Sequence, residues 1–197
     1  MPGIENLLGR GCPVCGGRLD APGVCLACRE ALVPWVGPAG LALGGYARLR
    51  GLVRAIKYDG DLGALAFAAE RLARAVPPGW PVAGVTFVPT FFWRRWGRPF
   101  YAPERLARAL AAEGGWFYAP VLARVRYTRS QTRVKRRHRL PQVFAPRARV
   151  GGLWLLVDDV ATSGATFRRA RTALKRAGAS EVKGVFLAVR EKKILGL

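Results

Sequence analysis

Asp158 and Asp159 stand between the apolar run LWLLV, 153–157, and the small, hydroxylated stretch Ala161-Thr162-Ser163-Gly164-Ala165-Thr166. Small side chains let backbone N–H groups approach a ligand, and the Thr and Ser hydroxyls add donors. A helix starting there adds the positive end of its dipole, so the stretch reads as a phosphate cradle. It is neither a Walker loop, which needs Gly-Lys-Ser/Thr, nor a dinucleotide fingerprint, which needs GxGxxG. Two carboxylates facing a phosphate would repel it, whereas facing a diol they would accept hydroxyl hydrogen bonds. A sugar with a phosphate on one side and a diol on the other fits both halves, and ribose 5-phosphate is such a sugar. Asp158 and Asp159 are the candidate catalytic pair. Together with Ala161, Thr162, Ser163, Gly164, Ala165 and Thr166 they are the candidate ligand contacts.

A second constellation is the thiol set Cys12, Cys15, Cys25 and Cys28, two CxxC pairs within the first 28 residues. Four thiolates at this spacing can close tetrahedrally on one ion, as structural zinc requires, with no open position for catalysis. Two disulfides would use the same residues, and a cytoplasmic setting disfavours them. That setting is expected because MPGIENLLGRGCP lacks a charged start followed by a long apolar stretch. The apolar runs are also far short of a membrane span.

The elements that must position these groups alternate. Residues 29–45 are rich in Pro and Gly and read as a connector. Leu52–Tyr58 reads as a short strand or helical turn. Asp61 stands at an N-cap ahead of the alanine-rich LGALAFAAERLARAV, and Pro77-Pro78 stops that helix. GVTFVP, 84–89, is a buried strand, and Pro103 opens a helix that ends at Gly114-Gly115. A strand is expected within 116–125, then the strand LWLLV, a helix over 166–177 and a last strand over 182–189. Strands alternating with helices imply an α/β fold, a mostly parallel sheet flanked by helices, with ligands beyond the carboxyl ends of its strands. The organisation expected is a zinc knuckle and connector over 1–45 and one α/β domain over 46–197.

VDDVATSGAT resembles the 5-phosphoribosyl 1-diphosphate motif of type I phosphoribosyltransferases. A Cys₄ knuckle ahead of such a domain resembles the ComF family, competence-associated proteins linked to DNA uptake. AIKYDGDLGALA, the strand ending at Pro89, and LARVRYTRSQ are similar to segments of that family, so the resemblance spans nearly the whole chain. It implies a type I phosphoribosyltransferase fold, ribose hydroxyls on Asp158 and Asp159, and the 5′-phosphate on Ala161–Thr166. It further implies Mg²⁺ accompanying phosphoribosyl diphosphate, Arg98, Arg126 and Gln131 near the diphosphate or on a flap above it, DNA-uptake or helicase partners, and a homodimer. Two segments depart from the family pattern. Arg98-Pro-Phe-Tyr-Ala-Pro103 stands where the family has Arg-Gly-Phe-Asn-Gln-Ala, and RLPQVF lacks the family's Asn. A proline removes a backbone donor and fixes φ, which weakens the case for a diphosphate loop there.

The net charge is +21, which points to polyanionic partners. Ten Lys or Arg fall between Arg124 and Arg149, and no acid occurs between Glu113 and Asp158. Ten cations exceed the needs of one diphosphate. Arg129, Arg133, Lys135, Arg136, Arg137 and Arg139 are the candidate contacts to single-stranded DNA, with Tyr127 available for stacking. A solvated basic loop is the plainer reading. The aromatic cluster Phe91, Phe92, Trp93 and Trp96 reads as core more readily than as a base-stacking platform. Three functions are compatible with these features: a ComF-like sugar-phosphate binder acting on DNA, an active phosphoribosyltransferase of nucleotide metabolism, and a DNA-binding module with a vestigial sugar site.

Overall fold

A computed structural model describes residues 11–90, 101–125 and 143–197. Its centre is a five-stranded sheet of order β1-β2-β7-β6-β3. The strands are β1 (Trp35–Gly37), β2 (Gly40–Ala42), β3 (Val82–Phe87), β6 (Leu153–Ala161) and β7 (Glu181–Val189). β2, β7, β6 and β3 run parallel, and β1 is an antiparallel edge. A separate antiparallel pair joins β4 (Leu122–Arg124) to β5 (Phe144–Pro146). The mostly parallel sheet expected from the alternation is therefore present.

β6 shows why the sheet must be covered on both faces. Leu153, Leu155 and Val157 pack with the cluster that holds helices α2 (Tyr46–Arg54), α3 (Leu62–Arg74) and α4 (Ala102–Gly114). Trp154 and Leu156 pack on the other face, against α5 (Ala165–Ala177) and the β4–β5 pair. Alternate side chains of one strand thus feed two cores, and the helices complete three layers.

The helix boundaries follow from local chemistry. Asp61 caps α3, its Oδ1 accepting from the Ala64 N–H at 2.9 Å. Pro103 lies in the first turn of α4, where its missing N–H would have no intrahelical acceptor, and Gly115 ends the helix at φ 66°. α5 begins after Gly164, itself at φ 68°, one residue earlier than expected.

Leu52–Tyr58 takes the helical one of its two readings: α2 runs on through a π-helical turn, Ala55–Asp59. The Pro- and Gly-rich stretch after the knuckle is not a bare connector. Trp35–Ala42 forms the β1–β2 hairpin, and β2 pairs with β7. A three-residue strand is too short for alternation to reveal, and its backbone partners lie near the far end of the chain.

The knuckle also packs against the rest. Cys12, Leu19, Val24, Cys25 and Cys28 belong to the same buried cluster as Leu49, Leu52 and Leu65. Contact is close at Gly51 of α2, where an added Cβ would lie 2.1 Å from the Pro13 carbonyl oxygen. Gly51→Ala should therefore cost about 1–3 kcal/mol, read as a lower midpoint in chemical denaturation with an unchanged slope.

Candidate functional site

The site's location follows from the topology. β3 leads into α4 on one face, and the neighbouring strand β6 leads into α5 on the other. Adjacent parallel strands whose connections leave on opposite faces open a crevice at their carboxyl ends. Asp158 and Asp159 lie there, but not at the end of the strand as expected: β6 continues to Ala161. The turn into α5 is correspondingly short, Thr162–Gly164.

That turn gathers the sequence-predicted phosphate residues. Asp158, Ala161, Thr162, Ser163, Gly164, Ala165 and Thr166 surround a hollow of about 30 Å³. The Ser163 Oγ accepts from the Ala165 N–H at 3.4 Å. Arg168 donates from Nη1 to the Ser163 carbonyl at 2.9 Å, which braces the turn from the first turn of α5. The left-handed Gly164 lets the chain reverse into the helix, whose first N–H groups have no intrahelical acceptors. The stretch therefore has the local form of an anion cradle.

The two acids have different surroundings. Asp159 turns to the α2 side, where its Oδ2 meets Lys57 Nζ at 2.6 Å. Asp158 faces the turn and is partly buried. Burial first, and then repulsion from Asp159, hold its carboxyl well above the usual aspartate value of 3.8. The Asp159 N–H, Lys57 and Arg124 pull the other way without reversing the shift. Each carboxylate also accepts from the next backbone N–H: Asp158 from Asp159 at 2.9 Å, and Asp159 from Val160 at 2.7 Å. The pair thus presents one carboxylate held by an ammonium and one biased towards its neutral acid. A neutral acid can donate a hydrogen bond as well as accept one.

Beside the turn, Asp159 opens onto a cleft of about 750 Å³ lined by Tyr46, Arg50, Val53, Arg54, Lys57, Tyr58, Val160, Thr162 and Arg190. Its α2 residues were missed as site residues. The signal was present: Tyr46, Arg50 and Arg54 recur every four positions, one face of a helix. The π-helical turn then brings both Lys57 and Tyr58 to the same cleft. A smaller cleft of about 330 Å³, lined in part by Tyr101, Glu104, Arg124 and Arg147, lies at the carboxyl end of β3.

The four cysteine sulfurs lie within 4.8 Å of one another, with Cys15 and Cys25 Sγ 3.7 Å apart. A tetrahedral zinc with Zn–S bonds near 2.3 Å needs sulfurs about 3.8 Å apart, so the four thiols fit zinc. The Gly17 N–H lies 3.4 Å from Cys15 Sγ as a donor. Burial would raise the Cys12 thiol, but backbone donors at Cys25, Cys15 and Val14 outweigh it and bring it to about 7. Burial, then the neighbouring thiols, push Cys28 far up. One thiolate forms readily and resists the next, and a divalent cation would relieve that repulsion.

Arg98, Arg126, Arg129, Gln131, Arg133, Lys135, Arg136, Arg137 and Arg139 lie outside the described residues, as do Tyr127 and the aromatic cluster at 91–96. Among the described residues, no helix is long and apolar enough to cross a membrane.

No family model matches the chain. No curated protein sequence matches it either. Among solved structures it is similar to an allosteric regulatory enzyme of purine biosynthesis, at 22% identity and a TM-score of 0.37 over 60% of this chain. The chain spans 24% of that enzyme's own chain.

Two outcomes are expected. A raised carboxyl pKa makes the folded state hold its proton longer than the unfolded state. Its stability contribution is thus present below 3.8 and is lost as pH rises through the folded value. Asp158→Asn should therefore raise the melting temperature near neutral pH, with the gain vanishing in acid, as thermal melts across that range would show. Cys28→Ser should abolish retention of one zinc per chain, measured by metal analysis after gel filtration.

Proposed function

We propose that the chain is a ComF-like protein with a phosphoribosyltransferase-type fold that binds phosphoribosyl diphosphate or a similar sugar phosphate at the carboxyl end of β6. The observation that carries this reading is the turn Thr162–Gly164, bound on one side by two acids and on the other by a helix N-terminus at the switch between β3 and β6. Ala161–Thr166 would hold the 5′-phosphate through backbone donors. Asp159, fixed by Lys57, would accept from one ribose hydroxyl, and Asp158 would exchange a hydrogen bond with the other. Mg²⁺ accompanies the diphosphate in this reading, and zinc on Cys12, Cys15, Cys25 and Cys28 is structural.

Of the departures in Arg98–Pro103, Pro103 lies in the first turn of α4, while Pro99, which stands where the family has Gly, lies outside the described residues. If the site turns over, the bond between ribose C1 and the diphosphate oxygen breaks as an acceptor forms its own bond to C1. Cationic side chains would offset the charge left on the diphosphate. A cytoplasmic role in DNA uptake or single-strand handling, with helicase-type partners, is supported by the ComF resemblance and by the basic run Arg124–Arg149. An enzyme of nucleotide metabolism is the rival reading.

Titration calorimetry with phosphoribosyl diphosphate and Mg²⁺ tests the site. Binding is expected, weakened at least about tenfold in the Asp158→Asn/Asp159→Asn variant, since a hydrogen bond to a charged group is worth about 1.5–3 kcal/mol. Single-stranded DNA binding without phosphoribosyl diphosphate binding would instead favour a DNA module with a vestigial sugar site.

A further inference from the structure

Helix α5 carries a charge pattern that its own stability does not call for. Phe167, Ala170, Ala173, Leu174 and Ala177 are buried against the sheet. Arg168, Arg171, Thr172, Lys175 and Arg176 are exposed, and Arg169 is half-buried beside them. At 3.6 residues per turn these six positions fall within one arc of roughly 160°, so the cations share a surface. The helix carries five cations and no acid.

The helices α3 and α4 follow the ordinary solvated pattern. Glu70 pairs with Arg74 at 2.9 Å, and Glu104 with Arg108 at 3.3 Å, each four residues on. α5 has no such pair. Arg168 instead stands three residues before Arg171, and Arg171 four before Lys175, spacings at which like charges repel. Arg168 and Arg169 also lie near the amino end, where the helix dipole opposes positive charge. Arg168 braces the Ser163 carbonyl, and Lys175 donates to that of Ser180, but a carbonyl does not neutralise a charge. The neighbouring segment adds to the face. The Val150 N–H donates to the Ala177 carbonyl at 3.0 Å, which brings the exposed Arg149 beside the last turn of α5. Glu181, just beyond the helix, is taken by Lys183 at 2.5 Å. Among the described residues no acid pairs with a cation of this face.

A rigid row of cations without acids fits a rigid row of anions. From Arg168 to Lys175 is about 10 Å of helix axis, the rise of about three phosphates along one strand of a duplex. The arc holds no aromatic side chain on which the bases of a single strand would stack. It holds no apolar side chain to enter a lipid surface either. Nor has it a carboxylate or amide to accept from the 2′-hydroxyls by which duplex RNA is held.

We propose that the outer face of α5, with Arg149 at its edge, docks the phosphodiester backbone of double-stranded DNA without regard to sequence. Lys175 lies about 16 Å along the helix from the phosphate turn, so this surface is separate from the sugar-phosphate site. The proposal therefore goes beyond that reading and does not rest on it.

The test is fluorescence anisotropy of the full chain with a short blunt duplex DNA of mixed sequence across a salt series. A single strand of the same length, duplex RNA, and vesicles of phosphatidylcholine and phosphatidylserine serve as competitors. The duplex DNA should bind, and each competitor should displace it less well than unlabelled duplex does. Arg171→Ala/Lys175→Ala/Arg176→Ala should weaken binding at least about tenfold and reduce the salt slope by about 2–3, at about 0.9 per lost phosphate contact. The control Arg48→Ala/Arg74→Ala/Lys193→Ala removes the same charge from other elements and should leave binding nearly unchanged. All six side chains are exposed, and alanine favours a helix, so the α5 variant should melt no lower than the parent protein. The proposal is overturned if the duplex does not bind or if the α5 variant binds it as before. It is equally overturned if the control variant loses as much, or if the single strand, the RNA or the vesicles compete as strongly as duplex DNA. Calorimetry of the α5 variant with phosphoribosyl diphosphate reads the other site and should match the parent protein. Failure of the parent protein to bind that ligand would leave DNA docking standing.

Discussion

β6 is buried on both faces for five residues and must then carry two carboxylates out of the core. That constraint shapes much of what surrounds it. A carboxylate leaving water is costly unless it is paired or neutral, and the two acids are accommodated in these two different ways. Asp159 meets Lys57, which requires the π-helical turn to stand over the end of the sheet. Asp158 lies between a short turn and the side of Arg124, where burial favours its proton. The same arrangement leaves the strand end polar, open and flanked by a helix start, as a ligand site requires.

Much of the architecture was legible because β6 and the helices carry strong local signals. LWLLV, the Asp61 cap and Pro103 each act within a few residues, so sequence alone placed them. The hairpin at Trp35–Ala42 was not legible, since its short strands are defined by pairing with residues near 184–186. Leu52–Tyr58 stayed open between a strand and a helical turn because its apolar positions give no period on their own, without the helix that precedes them. The acids and the small-residue turn after them stood out together from their types and order. Their division of labour was not, because it depends on a lysine a hundred positions away in the chain. The basic cleft was visible only as a four-residue spacing, which gains meaning once β7 brings Arg190 beside it.

The Cys₄ cluster belongs to this picture through packing rather than chemistry. Its buried sulfurs sit in the cluster that also holds α2 and α3, and Gly51 lets Pro13 approach α2 directly. Metal binding at such a cluster contributes to folding free energy. Here the cluster bears on the helix whose outer face carries Arg50 and Arg54, so the cysteine cluster and the basic cleft share a support.

The order β2-β7-β6 has a consequence for how the chain comes to be folded. β7 lies between β2 and β6, and Lys183 at its start reaches back 145 residues to the Pro38 carbonyl. During synthesis the earlier strands therefore wait, with one side of β2 and one side of β6 unpaired, until β7 has emerged. Long-range parallel pairing of this kind is slow and exposes strand edges in the meantime. The cysteine cluster is complete by residue 28 and its ligands are local, so it can form first. It would give the nascent chain an ordered start against which α2 and α3 collect before the sheet closes.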